Sequence, residues 1–487
     1  MNHIPDLRLR ACNRAPLCPD GDYVLYWMIA NRRPHFNFAL EHAVGEARRL
    51  GKGLVILEAL RAGYPWASDR LHAFVIQGMA ANAAAFARTP ARYLAYLEPE
   101  PGAGKGLLET LAARACLVVT DRFPAFFLPH MVAAAAARLE VRLEEVDACG
   151  LLPLAAAAHA HPSAHAFRRF LQQVLPLHLE DVPSPDPLAG VLLPPPVLPP
   201  DLERRWPMAR PTELAADHSS LAAFPIDHGL APAPTRGGWH AARAALGEFL
   251  DHRLARYAAE RNDPDADVTS GLSPYLHFGH LSAHEVLVEL GRREGWTPER
   301  LSAGGSGRRA GWWRMSEPAE AFLDELVTWR ELGYNFAATR DDLERYESLP
   351  SWARQTLERH AGDERAHCYD LAAFLAAATH DPVWNAAQRQ LWREGRLHNY
   401  LRMLWGKKIL EWSRSPREAL AIMLELNNRL ALDGRDPNSA TGIFWCLGRY
   451  DRPWGPERPV FGTVRYMSSQ ATLRKVRMRE YLERYGA

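Results

Sequence analysis

The hydrophobic period of this chain changes once, near Gly238, and that change limits the folds open to it. Before it, five short apolar runs recur: DYVLYWMI (22–29), GLVILEAL (53–60), RYLAYLEP (92–99), ACLVVTD (115–121) and VRLEEVDA (141–148). Stretches of helical period separate them. One is FNFALEHAVGEARRLGK, with Phe38, His42, Val44 and Ala47 on one face; another helix is expected over 69–88. Continuous apolar strands alternating with helices are the pattern of a parallel, doubly wound, Rossmann-like sheet buried on both faces. No GxGxxG or Walker A motif occurs, so this half need not hold a nucleotide.

After Gly238 nearly every segment has helical period, as in EAFLDELVTWRELGYNFAA, DPVWNAAQRQLWREG and RLHNYLRMLWGKKILEWS. Between the halves, PSPDPLAGVLLPPPVLPPDLERRWP is too rich in proline for a helix or a central strand, and reads as an extended connector. The expected organisation is an α/β domain over 1–180, a Pro-rich linker over 181–237 and an all-α domain over 238–487. Within the helical half, SAGGSGRRAGWWRMS (302–316) reads as a long Gly-rich loop carrying two adjacent tryptophans.

Composition narrows the partners. No apolar run reaches the roughly 18 residues that cross a bilayer, and the start lacks the apolar core of a signal peptide. Six cysteines form no CxxC pair and no zinc spacing, which suits a reducing cytoplasm and predicts no metal. The net charge of +1 hides a basic end: residues 385–487 hold 19 Lys and Arg against 10 Asp and Glu. Such a surface permits phosphate contacts.

Three stretches carry chemistry. In TSGLSPYLHFGHLS (269–282), backbone N–H groups and the hydroxyls of Thr269, Ser270 and Ser273 precede a helix, which makes a neutral anion cradle or a simple N-cap. In LNNRLALDGRDPNSATGIFWCLG (426–448), Asn427, Asn428, Asp433, Arg435, Asp436 and Asn438 cluster at a helix–loop boundary. Buried, they need partners such as a polar heteroaromatic cofactor; exposed, they form a solvated turn. Third, Trp405 and Trp412 stand two turns apart, roughly 10.5 Å along one helix face, with Trp384 on the preceding helix. Indoles are readily oxidised by one electron, so such a file conducts; equally, aromatics at this spacing pack cores.

Together, DYVLYWM, FNFAL, SGLSPYLHFG, FLDELVTWRELGYNF, WNAAQ, LHNYLRMLWGKKILEW, LDGRDPN and ERPVFGTVRYM occur in one order between residues 22 and 467. The chain thereby resembles the class II cyclobutane pyrimidine dimer photolyases of the photolyase/cryptochrome superfamily. The resemblance implies FAD bound in the helical domain, and light-driven repair by electron transfer from excited reduced FAD to a dimer flipped out of UV-damaged double- or single-stranded DNA. A cryptochrome-like photoreceptor that binds FAD without repair is the alternative.

Carried over by position, Tyr257, Thr269, Ser270, Gly271, Leu272 and Ser273 would hold the phosphates and ribityl chain, while Asp433, Arg435 and Asp436 would line the flavin. Asn427 would stand beside flavin N5. Trp405, Trp384 and Trp412 would conduct electrons inward, with Trp412 outermost. Glu325 would hydrogen-bond the lesion, and Arg261, Met403, Trp445, Asp451, Arg452 and Trp454 would bind it. Some members carry a second, deazaflavin-like antenna pigment; Asn37, Asp121 and the helix over 70–78 stand where strand ends could meet one. A cytoplasmic monomer is expected. Against the family pattern, the 302–316 loop looks like an insertion, Tyr334 replaces an acidic residue, and Trp329 stands where class II relatives usually have Arg.

Overall fold

A computed structural model describes residues 4–486; the outermost positions of the expected domains, 1 and 487, lie outside them. The chain divides into two units. The first comprises Met1–Ala157, Val174–Gly247 and Leu272–Pro298; the second comprises Ala158–Gln173, Glu248–Gly271 and Glu299–Ala487.

The first unit is built on a six-stranded sheet: β1 (Leu9–Ala11), β2 (Tyr23–Met28), β3 (Gly53–Leu60), β4 (Arg92–Leu97), β5 (Ala115–Arg122) and β6 (Leu143–Asp147), in the order β1-β6-β5-β2-β3-β4. The five expected strands run parallel. The sixth, β1, is antiparallel at the edge. Three residues with an exposed, charged centre carry no readable alternation, which is why the sequence did not announce it.

Every residue of β2 is buried, as a strand covered on both faces requires. One face is sealed by helix Phe38–Leu50 through Phe38, Leu40, Ala43, Val44 and Ala47 against Val24, Tyr26, Ile56 and Val119. His42 departs from the expected buried face: it is half-buried and meets Glu144 at 2.8 Å. The helix starts where the Asn37 side chain accepts from the Ala39 and Leu40 N–H groups. It ends at Gly51, in the left-handed region. The opposite cluster packs Val75, Ile76 and Met79 of helix Asp69–Phe86 with Leu60, Ala95 and Leu97.

The Pro-rich tract is held by apolar anchors instead of a backbone ladder. Leu221 and Phe224 join the second cluster, and the Trp206 indole N–H donates to the Ala103 carbonyl at 3.1 Å. At the switch point between β5 and β2, the Asp121 carboxylate accepts the N–H groups of Ile29, Ala30 and Asn31 at 2.8–2.9 Å and the Tyr26 hydroxyl at 2.7 Å.

The second unit is helical. Its principal elements are Glu317–Leu323, Arg330–Thr339, Pro382–Glu394, Asn399–Trp412, Pro416–Leu430 and Pro437–Cys446. The expectation of a parallel α/β sheet followed by a helical half is therefore borne out. Among the described residues, no helix is long and apolar enough to cross a membrane.

Candidate active site

Helices Pro382–Glu394 and Asn399–Trp412 bring three indoles together. The first is set by Asp381, whose side chain accepts from the Val383 and Trp384 N–H groups, with Pro382 at the first helical position. It stops at Gly395, φ 65°. Trp384 and Trp405 are stacked, 6.5 Å between centroids and 5° between planes. Trp384 meets Trp412 edge to face at 6.1 Å. Trp384 thus stands in the middle. All three are buried, and the two inner N–H groups have neutral acceptors: Trp384 donates to the Trp405 carbonyl at 3.0 Å, and Trp405 to the Gln388 side-chain oxygen at 2.8 Å. Beyond Trp412, sequence reading missed Tyr369 and His380, whose rings lie 5.8 and 4.9 Å from its indole.

Asn427 and Asp433 are joined by a residue that motif reading passed over. Arg402 donates to the Asn427 oxygen at 2.9 Å, to Ser439 at 3.1 Å and to both Asp433 oxygens at 3.1 and 3.3 Å. It stands three residues before Trp405, so helical spacing was the available signal. The turn needs glycine at 434, because a Cβ there would lie 2.5 Å from the Asn427 carbonyl oxygen. Arg435 and Asp436 have other partners in the fold. The Arg435 guanidinium donates to the carbonyl of Asn428, in the last turn of helix Pro416–Leu430, and to that of Leu432, just beyond it. Asp436 caps helix Pro437–Cys446 through the Asn438 N–H at 2.8 Å and accepts the Tyr334 hydroxyl at 2.8 Å.

Glu325 lies in a π-helical turn, Asp324–Trp329, between two α-helical segments. Such turns are frequent at functional positions because they re-aim one side chain. Arg261 pairs with Glu325 at 2.8 Å and also donates to the Ala321 carbonyl at 3.3 Å. Its guanidinium lies 5.5 Å from the Tyr257 ring centroid. Tyr257 is therefore brought to the Arg261–Glu325 pair. Burial pushes the Glu325 pKa up; Arg261 opposes this and Asp324 adds to it, and the net direction is upward.

Trp445 and Trp454 share a cationic frame. Arg465 lies 5.3 Å from the Trp445 ring and 4.0 Å from Trp454. It grips Asp451 with two hydrogen bonds of 2.9 and 3.1 Å. Asp451 accepts the Trp454 indole N–H at 3.1 Å, and Arg452 lies 4.2 Å from the Trp454 ring. Burial raises the Asp451 pKa, but hydrogen bonds from Arg465, the Arg452 N–H and Trp454 hold it below the ordinary value. Lys407 lies 5.1 Å from Trp445 and donates to the Cys446 carbonyl at 2.6 Å. Burial pulls its pKa down to about 8. Met403 accepts at its carbonyl from the Cys446 thiol at 3.7 Å. Arg465 and Lys407 were not sequence candidates.

The Thr269–Gly271 end of the expected anion cradle belongs to the second unit, and Leu272 and Ser273 belong to the first. Arg253, also missed, donates to the Thr269 carbonyl at 3.2 Å. Its Nε and the Gln388 side-chain nitrogen are buried donors with no acceptor among the described residues. Such donors cost about 1–3 kcal/mol each if left unmade. Phosphate or ring-carbonyl oxygens would satisfy both, so the donor set fits a polar, anionic, heteroaromatic cofactor.

No family model matches the chain. A deoxyribodipyrimidine photo-lyase of Methanothermobacter thermautotrophicus is 34% identical over 467 residues, 95% of this chain and 94% of that protein. The enzyme of the same name from Oryza sativa is 33% identical over 477 residues, 95% and 87% of the two chains. The crystal structure of a class III photolyase from Agrobacterium tumefaciens shares the fold, with a TM-score of 0.64 at 18% identity over 96% of this chain and 86% of that one. Identity sustained at this level over most of both relatives leaves one assignment: the chain belongs to the deoxyribodipyrimidine photo-lyase family of the photolyase/cryptochrome superfamily.

Proposed function

We propose that this protein repairs cyclobutane pyrimidine dimers in UV-damaged DNA in a light-dependent reaction of the class II type, using FAD held in the helical unit. The observation that carries the reading is the buried Trp405–Trp384–Trp412 file ending beside the Arg402–Asn427–Asp433 cluster. The ordered motifs of class II enzymes support the lesion type. Bound reduced FAD supplies light-driven donation of a single electron and its recovery, so both cyclobutane bonds break without net redox change.

The chain's residues do the rest. Arg253, Thr269, Ser270 and Gly271 bind phosphate oxygens. Arg402 orients Asn427 and Asp433 toward the isoalloxazine, and Gln388 donates its remaining N–H there while fixing the Trp405 indole. Trp384 and Trp412 relay electrons inward to restore the reduced form before repair. Glu325, paired with Arg261 at 2.8 Å, presents a carboxylate that accepts a hydrogen bond from a thymine imide N–H. Trp445 and Trp454 offer stacking faces for the flipped bases, and Arg452 reaches the damaged backbone. The antenna expectation has less support: Asn37 caps a helix, and Asp121 is occupied by backbone N–H groups.

The test is to purify the protein, read its visible spectrum, and illuminate it with dimer-bearing DNA. Flavin absorbance with light-dependent loss of dimers supports the proposal. Absence of flavin overturns it, and flavin with photoreduction but no dimer loss favours the photoreceptor alternative.

A further inference from the structure

The Gly-rich segment 302–316, which the assigned roles leave unexplained, is a built platform. Ser302 N–H donates to the Trp312 carbonyl at 2.9 Å, and its hydroxyl to the Gly311 carbonyl at 2.7 Å. Gln172 clamps the far side: its oxygen accepts the Gly307 N–H at 2.7 Å, and its nitrogen donates to the Arg308 carbonyl at 2.8 Å. Glycine is required there, since a Cβ at Gly307 would lie 2.7 Å from a His165 ring carbon, and one at Gly305 2.9 Å from the Arg169 carbonyl oxygen. Trp312 and Trp313 are turned inward, each 6% exposed.

What the platform presents outward is charge. Arg308, Arg309 and Arg314 are exposed, and among the described residues none has a carboxylate within ion-pair distance. Such a loop shows a partner cations on a fixed backbone and no apolar face. A protein interface draws its core from exposed aromatic and apolar groups; a phosphate backbone needs only positioned cations.

The platform is tied to the proposed lesion site. Helix Ala164–Val174 carries Gln172 and, four residues earlier on the same face, Arg168. Arg168 grips Asp324, the neighbour of Glu325, at 2.7 and 3.0 Å. The loop's Gly311 and Met315 N–H groups bond to Glu320, five residues before Glu325 and so roughly 7.5 Å along the helix.

We propose that the 302–316 loop is a phosphate clamp, in which Arg308 and Arg309 contact the DNA backbone beside the lesion held at Arg261 and Glu325. The inference rests on the DNA-repair reading above. It adds sequence-independent affinity outside the pocket.

The experiment measures binding of the FAD-loaded full chain to a dimer-bearing duplex across a salt series, comparing wild type with Arg308→Ala/Arg309→Ala. Two lost phosphate contacts reduce the slope of log affinity against log salt by about 1.8, at about 0.9 per contact. The flavin spectrum and the repair of a free dinucleotide dimer stay at wild-type level. Arg308→Lys/Arg309→Lys restores the slope. An unchanged slope in the alanine variant overturns the clamp, including the case where the loop serves a protein partner instead. A wild-type protein that neither binds flavin nor repairs the dinucleotide overturns the underlying reading instead, so the two failures are distinguishable.

Discussion

Two groups of tryptophans in the helical unit share a chemistry and meet opposite surroundings. Trp384 and Trp405 are buried and stacked, with a carbonyl and an amide oxygen as their N–H acceptors. Trp445 and Trp454 are half-buried and framed by Lys407, Arg452 and Arg465, each within 5.3 Å of an indole. Removing an electron from an indole leaves a cation. A fixed positive charge about 5 Å away opposes that by about 3 kcal/mol at an effective dielectric of roughly 20. The inner pair is therefore the better electron relay. Around the outer pair the Asp451 carboxylate, which accepts the Trp454 N–H at 3.1 Å, offsets one cation, and the net positive charge left by Lys407, Arg452 and Arg465 opposes oxidation and suits an anionic substrate. Within the inner file the outermost member, Trp412, has a cation at its face, Lys408 at 5.3 Å.

The largest effect that sharpens this contrast is Trp384→Phe. It removes the middle of the file, and photoreduction of oxidised FAD slows by at least about a hundredfold, ~2.7 kcal/mol of barrier; transient absorption after a flash measures it. Trp454→Ala acts on the other group: affinity for dimer-bearing DNA falls by about 1–3 kcal/mol, the value of one stacking face, while photoreduction keeps its wild-type rate. Fluorescence anisotropy with damaged and undamaged duplexes measures the loss.

The smallest effect concerns Lys407. Burial lowers its pKa from 10.5 to about 8. Between those values the unfolded chain binds the proton more than the folded one, so this residue makes stability rise with pH across that window. Below pH about 8 the buried ammonium is a constant penalty. Lys407→Met removes it and forfeits the bond to the Cys446 carbonyl, for a net gain on the order of 1 kcal/mol. The gain is largest below pH 8 and fades toward pH 10.5. Urea denaturation at several pH values checks the sign. The same variant weakens lesion binding at neutral pH if the ammonium steadies Trp445.

The legible parts of this protein were those with a local period. The five parallel strands are continuous apolar runs, and Trp405 and Trp412 fall two turns apart, so both could be read from spacing. The rest depended on pairing across distance. Arg402 reaches Asn427 and Asp433 from another helix. Arg465 joins Asp451 and both outer indoles. Arg253 meets Thr269 sixteen residues on, past helix Leu254–Glu260. Apart from the helical spacing of Arg402 from Trp405, no local signal marks these arginines as bound in these ways. Arg435 shows the converse: its motif was visible, but φ 66° and the unsatisfied carbonyls of a helix end direct its guanidinium into the fold. The π-helical turn that aims Glu325 was equally hidden, since FLDELVTWRELGYNF keeps helical period through it.

Repair by the Trp384→Phe variant, chemically reduced beforehand and illuminated with a dimer-bearing oligonucleotide, tests the separation of the two tryptophan groups most directly. If the inner file serves only to recharge the cofactor and the outer pair serves the lesion, dimers disappear at the wild-type rate in light and persist in the dark. Loss of repair in the prereduced variant, with flavin and DNA binding intact, would contradict it.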